Sequence, residues 1–188
     1  MLIGGVDEAG RGPAIGPMVL AAAVIEVEKE VILKELGAKD SKLIPEPERE
    51  RLYPLMQAQL HSYSTVQLHA PEMDALMERE SLNEIEAMKI GHLLNGLKEK
   101  PEVVYVDSPD PLASNFGKRI YSYLSFKPKI VAEHKADVNY PIVSAASILA
   151  KVERDREIKK LQVEFESFGN IGSGYPHDER TISFLQKY

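Results

Sequence analysis

Two rhythms of apolar and polar residues run along this chain. Short runs of branched apolar residues, bounded by turn formers, predict buried strands at Leu2 to Val6, Met18 to Val27, Glu102 to Val106 and Lys129 to Glu133. A looser alternation predicts one more over His61 to His69. The Gly/Pro-rich stretch between the first two strands is too short for a crossover helix, so that pair should be antiparallel. Helical spacing fills most of the rest. Pro45 and Pro47 open a Glu/Arg-rich helix reaching about Leu60. Pro71 to Gly96 is helical with a break near Ser81-Leu82-Asn83, and its apolar stripe runs through Leu82, Ile85, Ile90, Leu93, Leu94 and Leu97. Pro111 to Leu124, Pro141 to Phe165 and Asp178 to Lys187 complete the helices, the last with Asp178 as N-cap. This order of elements predicts an α/β fold, a mixed sheet with helices on its faces.

Composition narrows the class. A chain of 188 residues suits one domain and buries about 70% of its unfolded surface. With 44% hydrophobic and 28% charged residues it is ordinary globular material. It has no cysteine, which excludes disulfides, thiolate catalysis and cysteine-ligated metals. The longest purely apolar run, Met18 to Ile25, falls far short of the ~20 residues of a membrane helix. Asp7, Glu8 and Arg11 stand where a signal peptide would have its apolar core, so a soluble, cytoplasmic protein is expected. The net charge of −6 argues against nucleic acid as a partner, yet Lys118 to Lys160 holds ten basic and five acidic residues. That stretch is either a solvated helix face or a surface for a phosphate backbone.

Carboxylates gather at the strand ends. Asp7 and Glu8 close the first strand, Asp107 the fourth, and Glu133 and Asp137 lie at the end of the fifth. Loops converge at strand ends in α/β sheets, so separate segments can deliver these acids to one place. They then either terminate strands and cap helices, or repel one another unless a divalent cation joins them. Oxygen-only ligands suit magnesium or manganese. Strand alternation sends Asp7 and Glu8 to opposite faces, so they should share a site only if the strand ends or bulges between them. Gly10-Arg11-Gly12-Pro13 is a plain turn or a loop that lets backbone and guanidinium approach a phosphate. Its spacing is neither a dinucleotide fingerprint nor a P-loop. Gly172-Ser173-Gly174-Tyr175-Pro176 offers an aromatic ring for stacking or for local packing. The histidines lack zinc-ligand spacing, although His134 lies beside a strand end, and Ser144 and Ser147 lack a nucleophile motif.

The string itself then carries a resemblance. Asp7 to Pro13, DEAGRGP, closely resembles the opening motif of the type 2 ribonucleases H, the ribonuclease HII family. Asp40-Ser41-Lys42, Tyr105-Val106-Asp107, Lys135-Ala136-Asp137 with Tyr140-Pro141, Ser144 to Lys151 with Arg154-Asp155, and Gly172 to Pro176 with Arg180-Thr181 follow in the family's order. The later blocks look more like the archaeal form. The resemblance implies a ribonuclease H-like fold, a mixed five-stranded sheet flanked by helices. It implies one catalytic domain over 1–188 with a helical C-terminal part from about residue 141. It also implies endonucleolytic cleavage of RNA in RNA–DNA hybrids and of ribonucleotides embedded in duplex DNA.

Carried over residue by residue, Asp7, Glu8, Asp107 and Asp137 are the catalytic and metal-binding acids. Gly10, Arg11, Gly12, Lys42, Lys151 and Tyr175 are the substrate-binding residues. Two Mg2+ or Mn2+ ions about 3.5–4 Å apart would clamp an in-line displacement, leaving a 3′-hydroxyl and a 5′-phosphate. Asp7 would bridge the ions. Backbone groups of Gly10 to Gly12 would bind the ribose 2′-hydroxyl, with Tyr175 packed on the neighbouring deoxyribose. A monomer is expected. Some relatives carry a sliding-clamp motif at the C-terminus; none is evident in Thr181 to Tyr188, which leaves a clamp partner open. Competing readings are another nuclease on the same fold, a non-catalytic hybrid-binding module and a metal-dependent phosphatase. The glycine loops, the four occupied acid positions and the basic stretch argue against them in turn.

Overall fold

The structure, a computed structural model, describes residues 1–38 and 43–187. Strands β1 (Leu2–Ala9), β2 (Met18–Glu26), β3 (Ser62–Leu68), β4 (Val103–Asp107) and β5 (Lys129–Glu133) form one sheet in the order β3-β2-β1-β4-β5. β1 and β2 are antiparallel, as their short connection predicts, and β1, β4 and β5 run parallel. Helices α1 (Glu30–Leu36), α2 (Glu46–Gln59), α3 (Ala70–Met77), α4 (Leu82–Gly96), α5 (Ala113–Ser122), α6 (Ala136–Asn139), α7 (Pro141–Glu164) and α8 (Glu179–Lys187) follow in chain order. Among the described residues, no helix is long and apolar enough to cross a membrane.

The two-residue period of the central strands divides the core in two. Ile3, Val19, Ala21, Ala23 and Ile25 pack against Leu33 of α1, Leu52 and Met56 of α2, and Ala145, Ala146 and Leu149 of α7. Val6, Leu20, Ala22 and Val24 pack against Ile85, Ile90 and Leu94 of α4 and Phe116 and Ile120 of α5. Each such large side chain contributes about 1.5–3 kcal/mol by leaving water. The first layer is thin because its residues are small. A Cβ on Gly5 would lie 2.4 Å from the Ile142 carbonyl, so the start of α7 rests directly on the β1 backbone. This contact fixes α7 against the strand that carries Asp7 and Glu8.

Three features depart from expectation. β1 continues to Ala9, because its pairing with β2 persists through Ala9↔Val19. α1 forms where no element was expected, closed by Gly37 at φ 108°. The four-residue helix α6 sits between β5 and α7.

Candidate active site

The site begins where β1 and β4 part. Their parallel ladder runs from Ile3↔Val103 to Val6↔Val106 and stops. β1 stays paired with β2 beyond that point, and β4 stays paired with β5 at Asp107↔Glu133. The sheet therefore opens between Asp7 and Asp107, at the C-terminal ends of two parallel strands, where ligands of α/β sheets bind.

The expected break between Asp7 and Glu8 does not occur. The strand is regular, and alternation sends Asp7 toward α7 and Glu8 toward α4. Their charges interact nonetheless: the Glu8 carboxylate raises Asp7, Asp107 raises both, and the Glu8 N–H donates to Asp7 Oδ1 at 2.8 Å. Asp7 is buried and hydrogen-bonded to the Ser147 side chain of α7. One turn along, Lys151 Nζ donates to Ser147 Oγ at 3.3 Å. Burial, then the charges of Glu8 and Asp107, hold the Asp7 carboxyl well above the usual range. Burial, then the charge of Glu86, push Glu8 up to about 8.

Asp107 does a second job. Its Oδ1 accepts the Ala136 N–H at 2.9 Å, capping α6 and setting the turn that carries Asp137. Lys135, just before, has φ 59°, the one non-glycine positive φ among the described residues. Such a conformation costs about 1 kcal/mol or more and persists only where its surroundings enforce it. Asp137 is 2% exposed, and its buried Oδ1 has no hydrogen-bond partner. It borders a groove with Lys34, Ala38 and Asn139. Asp7, Glu8 and Asp107 thus come together and Asp137 is tied to them through the α6 turn. Among the described residues, however, no group of three or more acids or histidines is arranged to hold a metal ion. The donor chemistry still fits a divalent cation: only oxygens, buried like charges and an unsatisfied carboxylate oxygen.

The two glycine loops join beside these acids. The Ala14 and Ile15 N–H groups donate to the Gly174 carbonyl at 2.8 and 3.2 Å. Gly10 has φ 85°, and a Cβ there would lie 2.5 Å from Arg154 Nε and from the Pro17 carbonyl oxygen, so the fold itself demands glycine. Gly12 is different: a Cβ would meet nothing within 4 Å. The Arg11 guanidinium does not reach outward as a phosphate fork. Its Nε donates to Glu86 Oε2 at 2.8 Å and its Nη2 to Asn83 Oδ1. Tyr175 stacks on His177, centroids 5.5 Å apart, and beneath Arg154. The His134 ring lies 2.8 Å from the Asp110 carbonyl oxygen. Lys42, with Asp40 and Ser41, falls outside the described residues.

Two residues at the site escaped sequence reasoning. Glu86 is fully buried and raises Glu8. The signal was there, since Glu86 lies four residues from both Leu82 and Ile90, an acid on an apolar stripe. Arg154 was visible only as part of a motif, with no role attached.

Set beside known proteins, the chain matches the family model described as ribonuclease HII over residues 4–188. The chain belongs to the ribonuclease HII family. Ribonuclease HII of Pyrococcus abyssi is 49% identical over 188 residues, covering 100% of this chain and 82% of that protein. The crystal structure of ribonuclease H2 from Pyrococcus horikoshii superposes with a TM-score of 0.92 at 45% identity, covering 100% of this chain and 87% of that one. A structure of the PCNA:RNase HII complex from Archaeoglobus fulgidus gives 0.89 at 37%, covering 100% and 88%. The sheet described above is accordingly a ribonuclease H-like fold. As a ribonuclease HII homologue, the chain is an endonuclease that hydrolyses RNA in RNA–DNA hybrids.

Proposed function

We propose that this ribonuclease HII family member also nicks duplex DNA on the 5′ side of an embedded ribonucleotide, leaving a 3′-hydroxyl and a 5′-phosphate. The observation that carries this reading is the seating of the Gly10–Gly16 turn, through its Ala14 and Ile15 N–H groups, on the Gly174 carbonyl. It brings a loop with an open glycine and an aromatic side chain together beside the strand that carries Asp7 and Glu8.

Asp7, Glu8, Asp107 and Asp137 are the residues that would hold divalent cations, magnesium or manganese. Bound there, the cations supply Lewis-acid activation of the attacking water and charge for the departing 3′-oxygen. The chain's own residues do the rest. Ser147 orients the Asp7 carboxylate, and Lys151 holds Ser147. Backbone groups of Gly10 to Gly12 hydrogen-bond the ribose 2′-hydroxyl, which both donates and accepts and so separates RNA from DNA. Arg11, locked to Glu86 and Asn83, braces that loop from behind. Tyr175 packs on the adjoining deoxyribose, and Lys42 and Lys151 contact phosphates. The enzyme acts as a monomer. Thr181 to Tyr188 carries no evident clamp motif, so the PCNA complex of the Archaeoglobus relative is not carried over to this chain.

The test is a DNA duplex containing one ribonucleotide, incubated with magnesium, with manganese or with excess chelator. A single nick 5′ of the ribonucleotide that needs the cation is expected. Undiminished cleavage in chelator would sink the metal requirement. A 2′,3′-cyclic phosphate product would show that the ribose hydroxyl, not water, was the nucleophile.

A further inference from the structure

The junction reading assigns Gly10 to Gly12 and Tyr175 to the substrate and leaves out the arginine between them. Arg154 lies on α7 and is 3% exposed. No described carboxylate forms an ion pair with it. A buried, unpaired guanidinium is expensive, so its retention needs a reason. Its contacts supply one. Nη2 donates to the Ile15 carbonyl at 3.1 Å and to the Ser173 carbonyl at 3.3 Å, one from each glycine loop. Nε, buried without a partner, faces the empty side of Gly10. The guanidinium carbon stands 4.6 Å from the centroid of the Tyr175 ring.

We propose that Arg154 is the positioning residue of junction recognition. It spaces the Gly10–Gly16 turn from the Gly172–Tyr175 loop and fixes the tilt of the Tyr175 ring. It touches neither the acids nor the scissile phosphate, and acts through Tyr175. A planar guanidinium suits this task, since it can stack on the ring while its edge donates to two carbonyls. Lysine offers a point charge with neither property. The alternative is that Arg154 only holds the fold, in which case its loss would lower stability and depress cleavage of every substrate alike.

The inference rests on the proposed role of Tyr175, and the test separates the two. Arg154→Lys and Arg154→Met are prepared alone and combined with Tyr175→Ala. Melting temperature, kcat and KM are measured on a single-ribonucleotide duplex and on an all-RNA hybrid. Each Arg154 variant should lower the ratio of single-ribonucleotide to hybrid cleavage about tenfold, the scale of one lost stacking contact, mainly in kcat. In the Tyr175→Ala background the same changes should lower the ratio no further. A ratio unchanged by Arg154→Lys and Arg154→Met, or a full additional drop in the double variants, would overturn the proposal while leaving the role of Tyr175 standing. If Tyr175→Ala itself leaves the ratio unchanged, the junction reading fails and the inference with it. The methionine variant buries no charge and carries the test if the lysine variant does not fold. Failure of both to fold would assign Arg154 to stability alone.

Discussion

Two groups of acids in this molecule meet opposite fates. Glu84 and Asp110, between α4 and α5, are paired. Arg119 Nη1 reaches Glu84 Oε2 at 2.5 Å and its Nε reaches Asp110 Oδ2 at 3.2 Å, while the Tyr123 hydroxyl donates to Glu84 Oε1 at 2.5 Å. The Tyr123 and Arg119 hydrogen bonds hold the Glu84 carboxyl below its usual range. Asp7, Glu8 and Asp107 sit at the open end of the sheet, and burial and mutual repulsion raise the first two. The same residue type is thus ion-paired where it serves packing and gathered as like charges at the proposed cation site. A chain that keeps buried like charges together loses stability for it, and that loss can be measured.

The largest effect should come from Asp7→Asn. Loss of a ligand worth several kcal/mol of charge stabilisation should lower turnover by about a thousandfold or more. The variant should fold, melt higher than the parent without divalent cation, and gain less on adding magnesium. Equal magnesium-induced shifts in the two proteins would remove Asp7 from the site. Glycine substitutions come next. Gly12→Ala should leave the melting temperature unchanged while cleavage falls at least tenfold, by roughly the cost of a displaced 2′-hydroxyl contact. Gly10→Ala should destabilise by about 1–3 kcal/mol from backbone strain and the clash with Arg154. A stable, active Gly12→Ala protein would refute close approach of the substrate there.

The pH dependence of stability sharpens the contrast further. Glu8 titrates near 8 when folded and near 4.5 when unfolded. Between those values the folded state binds the proton more tightly, so metal-free stability should fall as pH rises from about 4.5 to 8. Divalent cation should flatten that slope. Glu84 works the other way, contributing stability above its unfolded value and losing it in acid. Melting curves across this range, with and without magnesium, test both signs; a metal-free protein that grows more stable toward pH 8 would contradict the first. The smallest effect is expected for Arg119→Ala. Its guanidinium is more than a third exposed, so it should cost about 1 kcal/mol at most and leave cleavage unchanged. A loss of activity there would mean that the paired group also serves the substrate.

What the sequence disclosed follows from where its signals are local. Branched apolar runs place four strands and a looser alternation the fifth, and DEAGRGP with Asp107 points to the acids that the structure gathers at the open end of the sheet. Properties set by distant partners were not legible. β1 outruns its apolar run by three residues because β2 supplies hydrogen bonds that no pattern in Asp7-Glu8-Ala9 announces. α1 carries β-branched Val31 and Ile32 in its first turn and follows β2 after only the single turn Val27–Lys29, so only Gly37 betrays its end. α6 exists because Asp107, remote in sequence, caps it. The Arg11 guanidinium looked free for phosphate, since its partner Glu86 lies 75 positions away.

On the proposed roles, one helix would link cutting to reading. Ser147, bonded to Asp7, and Arg154, seated between the glycine loops, lie on α7 seven positions apart, almost two full turns, and so share a face about 10 Å apart along the axis. α7 is in effect a gauge. With Ser147 and Arg154 in their proposed roles, helical phase would set the offset between the recognised nucleotide and the broken bond. A single residue inserted between Ser147 and Arg154 would swing the reader by about 100° and uncouple the two.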